Sequence, residues 1–175
     1  DHDNVLAYPI AVSYSEKIAK EAGVTPLEII SGVEINTIYK NTEIHILGYF
    51  MNRENADFKA MLKQQQAARI EQTNEIITLL NKKEGIHVTF DKIKNLVAEG
   101  GSIGRPHIAK AITMAGGTSS VMEAYNKYIN DDSNVYVQRK TVTPHDAIEI
   151  IYDAGGIPVF AHPFDVENAE ELIKE

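Results

Sequence analysis

Polar and apolar positions set the frame of the chain at Gly32–Phe50, where two runs of strand character flank Lys40-Asn41. That pair can form the central residues of a tight hairpin turn. A two-residue turn places Asn36 opposite His45. Side chains alternate faces with period two, so Glu34, Asn36 and Ile38 share a face with Glu43, His45 and Leu47. Glu34 and His45 are then diagonal neighbours, roughly 7–8 Å apart by backbone geometry. That spacing fits a carboxylate and an imidazole reaching one metal cluster, and equally an ion pair on a wet sheet.

The other segments read mainly as helices. A first helix is expected with Ser13 or Ser15 as N-cap, Ile18 and Ala22 inward, and Gly23 as its stop. Arg53–Lys83 lacks Gly and Pro and spaces Phe58, Met61, Leu62, Ile76, Ile77, Leu79 and Leu80 helically, which predicts a long two-sided helix. Shorter helices follow: Phe90–Ala98 capped by Thr89, one opened by Gly104-Arg105-Pro106, and one behind the capping box Ser120-x-x-Glu123. Thr143-Pro144 caps a helix through Asp153. Ile157–Ala161 is a continuous apolar run, the pattern of a strand buried on both faces of a parallel sheet. His162-Pro163 falls at its C-terminal end, where α/β folds place their chemistry. The fold class expected is therefore α/β.

Composition narrows the chemistry. With no cysteine, any metal must be held by His, Asp and Glu, a donor set that suits zinc, manganese or iron. No apolar run nears 18 residues and no signal-peptide pattern is present, so a cytoplasmic protein without membrane contact is expected. The net charge of −8 argues against tight binding to duplex DNA. That charge is uneven: residues 51–133 carry a net +1 and the remainder −9, which fits an acidic metal-binding scaffold with an insert that tolerates an anion.

Candidate residues follow from these placements. His162 is delivered to an exposed edge by an apolar strand and stiffened by Pro163. His2 stands in the opening DHDN, ahead of any hydrophobic segment and without an initiator Met, which reads as a chain entered part-way. Arg105 and His107 lie in the first turn of a helix, beside free backbone N–H groups that suit a phosphate. Two cations at the positive end of a helix dipole need a counter-charge, which a bound anion would supply. His87 and His145 read as surface residues, and Arg139-Lys140 as a surface pair or as residues bordering the site.

Five stretches in order, DHD at the start, GVEI at Gly32–Ile35, EIHILGYF at Glu43–Phe50, GRPHIAKA at Gly104–Ala111 and AGGIPVFAHP at Ala154–Pro163, resemble the PHP (polymerase and histidinol phosphatase) metal-dependent phosphoesterases, in the subgroup with a helical insert. The resemblance implies a distorted seven-stranded β/α barrel: residues 1–50 its first part, 51–133 an all-α insertion, and 134–175 its continuation. It implies a centre of two or three divalent ions (Mn, Zn or Fe), with His2, Glu34, His45 and His162 as ligands and Glu34 bridging. Glu34 and His107 would then be catalytic, and Arg105 and His107 would bind substrate phosphate. Asp3 would orient a neighbour. The substrate implied is a small phosphorylated nucleotide, such as a nucleoside 3′,5′-bisphosphate, or the 5′ end of a short oligoribonucleotide. The family's HxH motif and its C-terminal acidic-x-His motif are missing, so a truncated or degenerate domain acting as a non-catalytic binding module is the alternative. An amidohydrolase-like enzyme acting on C–N bonds is a third reading.

Overall fold

A computed structural model describes residues 1–98, 100–166 and 169–174. The chain folds into two compact units, residues 1–65 with 141–175 forming the first and residues 66–140 the second. In order, the elements are α1 (Ala7–Ala22), β1 (Gly32–Tyr39), β2 (Thr42–Tyr49), α2 (Ala56–Leu79), α3 (Phe90–Lys94), α4 (Arg105–Met114), α5 (Val121–Ala124), α6 (Pro144–Asp153), β3 (Ile157–Phe160) and α7 (Ala169–Leu172). The fold is mixed α/β.

The first unit is built on the hairpin. Its register pairs Asn36 with His45 and Glu34 with Leu47. Lys40 and Asn41 both take positive φ, 47° and 67°, the geometry of a type I′ turn whose twist matches that of the strands. One face of the sheet buries Val33, Ile35, Ile44 and Ile46 against Phe58, Met61 and Leu62 of α2 and Ala147 and Ile151 of α6. Gly156 is pinned at that junction: a Cβ there would meet Met51 Cβ and the Tyr49 carbonyl, each at 2.9 Å. The opposite face carries Glu34, Asn36, Glu43 and His45, because a one-residue step along a strand reverses the side.

β3 departs from expectation. It pairs antiparallel with β2, Ile46 opposite Phe160 and Tyr49 opposite Ile157, so the sheet order is β1-β2-β3. The expectation of a parallel strand rested on the continuous apolar run alone, which does not specify a neighbour, and β3 lies beside β2, the arm that the hairpin has reversed. Nor is it buried on both faces: Ile157 is 55% exposed and Val159 41%.

Helix α1 also differs. It starts at Ala7, so Ser13 and Ser15 lie inside it rather than at its cap, and Ser15 Oγ donates to the Leu27 carbonyl instead. Pro9 in the first turn, where no N–H is needed, is the start signal that the serines obscured. Ile18 and Ala22 are exposed and Ala19 is the buried position, while Gly23 (φ 70°) ends the helix as expected. At the other end of the unit, Thr143 and Asp146 form a reciprocal capping box on α6, Thr143 Oγ accepting the Asp146 N–H and Asp146 Oδ2 the Thr143 N–H.

The second unit has no strand among its described residues. Its core holds Ile76 and Leu80 from the far half of the long helical run, Ile93 of α3, Ile108 and Ile112 of α4, and Tyr128 and Ile129. α2 passes into a π turn at Leu80–Glu84, and α5 into another at Tyr125–Ile129. α3 is shorter than expected, ending at Lys94. Arg139 is buried, against the expectation of a surface pair, whereas Lys140 beside it is exposed. Among the described residues no helix is long and apolar enough to cross a membrane.

Candidate metal centre

The polar face of the hairpin gathers side chains from three distant parts of the chain. Residues 1–3 run beside β1: the Asp3 N–H donates to the Glu34 carbonyl at 2.9 Å, and the Glu34 N–H to the Asp1 carbonyl at 3.0 Å. This parallel bridge sets His2 against Glu34. β2 supplies His45. The end of β3 supplies His162, whose backbone sits at φ 31°, ψ 56° although a residue before proline favours extended geometry. A non-glycine residue held there costs on the order of 1–3 kcal/mol, a form of strain that clusters at functional sites.

The three rings meet at Glu34. Ring centroids are 5.4 Å apart for His2 and His45 and 4.9 Å for His45 and His162. Glu34 Oε2 faces His2 Nε2 at 3.7 Å, while Oε1 faces His45 Nδ1 at 2.7 Å and His162 Nε2 at 3.5 Å. His45 Nδ1 and His162 Nε2 are 3.0 Å apart. The two oxygens of one carboxylate thus address different histidines, the arrangement a bridging ligand needs.

Asn36 ties the cluster together. Its Oδ1 lies 3.0 Å from His2 Nδ1, and its Nδ2 lies 2.6 Å from Glu43 Oε1 and 2.8 Å from His45 Nε2. Its N–H donates to Asp3 Oδ1 at 3.2 Å, and its carbonyl accepts from Gln65 Nε2 and Thr141 Oγ. Sequence reasoning placed Asn36 opposite His45 but gave it no role; that register was the available signal. Glu43 was likewise placed on this face and given no role, yet its Oε1 lies 3.3 Å from His45 Nε2.

Electrostatics follow from this crowding. Partial burial pushes the Glu34 carboxyl up, but His2, His45 and His162 outweigh it and hold the group below the ordinary carboxylate range. Burial pushes His45 down, and the Glu43 and Glu34 carboxylates outweigh that, leaving the imidazole above its usual value. Such a site holds positive charge well.

The donor set fits a divalent metal. His2, Glu34 and His45 each offer a ligand atom, all within 4.8 Å of one another. Tetrahedral ligands at ~2.1 Å from zinc lie about 3.4 Å apart. The 3.5 and 3.7 Å separations at Glu34 are near that edge, and the 2.7 Å contact to His45 needs to open by about 0.7 Å once its proton leaves.

Arg105 and His107 belong to the second unit. Arg105 Nη2 donates to Asp131 Oδ1 at 3.0 Å and to the Tyr136 hydroxyl at 2.6 Å, with the guanidinium stacked 4.6 Å from the Tyr136 ring centre. The counter-charge at this helix start is therefore the chain's own Asp131. His107 Nδ1 accepts the Gly104 N–H at 3.0 Å, so a neutral ring carries its proton on Nε2. His87 and His145 are exposed, the latter 6.2 Å from the Tyr39 ring.

No protein-family model matches the chain. A 5′-3′ exoribonuclease of Haemophilus influenzae is 32% identical over 163 residues, covering 93% of this chain and 56% of that protein. A 3′,5′-nucleoside bisphosphate phosphatase of Chromobacterium violaceum is 25% identical over 148 residues, 85% of this chain and 52% of its own length. A solved structure from Bifidobacterium adolescentis, assigned as a metal-dependent phosphoesterase, aligns with a TM-score of 0.78 at 27% identity, covering 93% of this chain and 55% of that one.

The chain is thus similar to an exoribonuclease, a nucleoside bisphosphate phosphatase and a metal-dependent phosphoesterase. It spans about half the length of the curated relatives it matches. At 93% coverage the likeness to the Haemophilus influenzae exoribonuclease reaches into both units, taking in the hairpin that carries Glu34 and His45 as well as the helical segment that carries Arg105.

Proposed function

We propose that the chain is a cytoplasmic metal-dependent phosphoesterase that removes phosphate from a small nucleotide, such as a nucleoside 3′,5′-bisphosphate, or acts on the 5′ end of short RNA. The observation that carries the reading is Glu34, one carboxylate whose two oxygens face different histidines. The names of the relatives, an exoribonuclease and a bisphosphate phosphatase, support the same chemistry over a non-catalytic module. The fold that goes with this reading is a distorted seven-stranded β/α barrel with residues 51–133 as an all-α insertion.

Glu34 would be the carboxylate shared between ions, and His2, His45 and His162 would complete the protein ligands for two or three of them, manganese, zinc or iron. Ions bound there would supply Lewis acidity, lowering the pKa of bound water toward ~7 and offsetting charge on phosphoryl oxygens. The remaining work falls to side chains. Asn36 holds His2 and His45 in place, as partners outside a metal's ligands do elsewhere. Arg105 binds the substrate phosphate after exchanging Asp131 for it, and His107 Nε2–H donates to a phosphoryl oxygen or to the leaving oxygen. One charge-assisted contact of the Arg105 kind is worth ~1.5–3 kcal/mol, or about 10- to 100-fold in rate.

The test is release of phosphate from adenosine 3′,5′-bisphosphate and of nucleotides from 5′-phosphorylated short RNA, with and without manganese. Turnover that requires metal and disappears in Glu34→Ala supports the reading. Turnover retained in Glu34→Ala refutes it.

A further inference from the structure

A cavity of about 410 Å³ opens in the first unit where the start of β1 meets the end of β2, lined in part by Tyr8, Glu28, Ser31, Phe50, Arg53 and Glu54. None of these residues belongs to the metal centre. Two features of the lining are not explained by folding. The Arg53 guanidinium carbon lies over the Tyr8 ring, 4.3 Å from its centre, a cation–π contact that puts a cation and an aromatic ring side by side in the lining. Phe50 sits at φ 62°, a conformation glycine adopts at no cost, yet it is a large aromatic residue left 57% exposed. Its N–H is pinned to the Ser31 carbonyl at 3.0 Å, which fixes the backbone that presents the ring.

The chemistry of the lining selects a ligand. Aromatic and guanidinium planes bind flat π systems. One cation against the carboxylates of Glu28 and Glu54 disfavours a phosphate in the cavity, and carboxylates accept hydrogen bonds from the exocyclic amine of a base. Glu54 is steadied by Lys59 at 2.9 Å. Ser31 precedes Glu34 by three residues, about 10 Å along an extended strand, farther than the single step of ~3.4 Å between neighbouring stacked bases.

We propose that this cavity is a stacking subsite for an amine-bearing nucleobase, taken from a nucleotide beyond the one whose phosphate is hydrolysed. The proposal rests on the phosphoesterase reading and narrows it: the subsite favours a short oligonucleotide over a mononucleotide.

The test measures binding of 5′-phosphorylated adenylate and uridylate trinucleotides to the full chain by titration calorimetry without metal, so that hydrolysis does not intervene. Wild type, Phe50→Ala, Phe50→Tyr and Arg53→Gln are compared, each checked by circular dichroism. The expected result is tighter binding of adenylate than uridylate, a loss of about 5- to 150-fold for adenylate in Phe50→Ala and Arg53→Gln, and recovery in Phe50→Tyr. With metal present, KM for the trinucleotide rises in the same variants while both constants for adenosine 3′,5′-bisphosphate stay put. Equal binding by wild type and Phe50→Ala, or no preference for adenylate, overturns the subsite even if both substrates are hydrolysed. Phe50-dependent binding without any metal-dependent turnover overturns the phosphoesterase reading and leaves the subsite standing.

Discussion

Replacing Asn36 by alanine separates the metal centre from the fold that carries it. The amide contacts His2 Nδ1 at 3.0 Å, His45 Nε2 at 2.8 Å and Glu43 Oε1 at 2.6 Å. Removing an outer hydrogen-bond partner of a metal-binding histidine lowers metal affinity about 10- to 100-fold, equivalent to ~1.4–2.7 kcal/mol. Two of the candidate ligands lose the same partner, so the upper part of that range is expected. Stability should fall by a comparable amount. The Asn36 carbonyl keeps its bonds from Gln65 and Thr141, and the released partners border solvent, so each lost side-chain bond costs about 1 kcal/mol rather than a full desolvation penalty. Titration calorimetry with Mn²⁺ or Zn²⁺, paired with a thermal melt, reads both quantities. A variant that still melts cooperatively, about 6–12 °C below wild type, and binds metal far more weakly agrees with the geometry. Affinity unchanged within about twofold would show that the imidazoles need no help from Asn36, and the positioning argument would fail.

Three further outcomes are expected. His45 has its pKa raised by Glu43 and Glu34 against burial, so its stabilising contribution is complete below the unfolded value near 6.5 and is lost as pH rises through the raised folded value; Glu34, held low by the histidines against burial, contributes above about 4.5 and loses that as pH falls through its depressed value. The metal-free chain should therefore melt highest between those limits in a pH series, while metal affinity climbs through the upper limit as His45 gives up its proton; a flat profile would contradict both. In the second unit, Asp131→Asn frees Arg105 from its carboxylate and should lower KM for a phosphorylated nucleotide several-fold, whereas Arg105→Ala should lower kcat/KM about 10- to 100-fold; identical kinetics in the two variants would remove Arg105 from phosphate binding. Gly156→Ala drives a methyl to 2.9 Å from Met51 Cβ and the Tyr49 carbonyl and should cost about 1–3 kcal/mol in a denaturant titration, with a neutral result pointing to a looser junction.

The hairpin was legible because its turn pair and alternating pattern fix register together, and register alone brought Asn36, His45 and Glu34 within reach of one another. Caps were legible wherever a side chain closed them, as at Thr89, Ser120 and Thr143. The start of α1 was not, since no side chain caps it and its signal is a proline in the first turn. The direction of β3 was hidden for a different reason. An apolar run specifies burial of some kind, but which strand lies beside it is a property of the whole sheet, and Ile157 and Val159 are exposed despite their hydrophobicity. Arg139 shows the same limit from the polar side: its burial depends on tertiary neighbours that local pattern does not record. At the site, the histidines were visible one by one as residues at strand ends. Their meeting at a single carboxylate depends on the bridge between residues 1–3 and β1 and on the left-handed backbone at His162, neither of which periodicity encodes.

Anomalous diffraction from crystals of the full chain grown with manganese or zinc tests the central claim most directly. The account predicts peaks about 2.0–2.2 Å from Glu34 oxygens and from ring nitrogens of at least two of His2, His45 and His162. Metal bound elsewhere on the chain, with the Glu34 carboxylate still hydrogen-bonded to an uncoordinated His45, would contradict it.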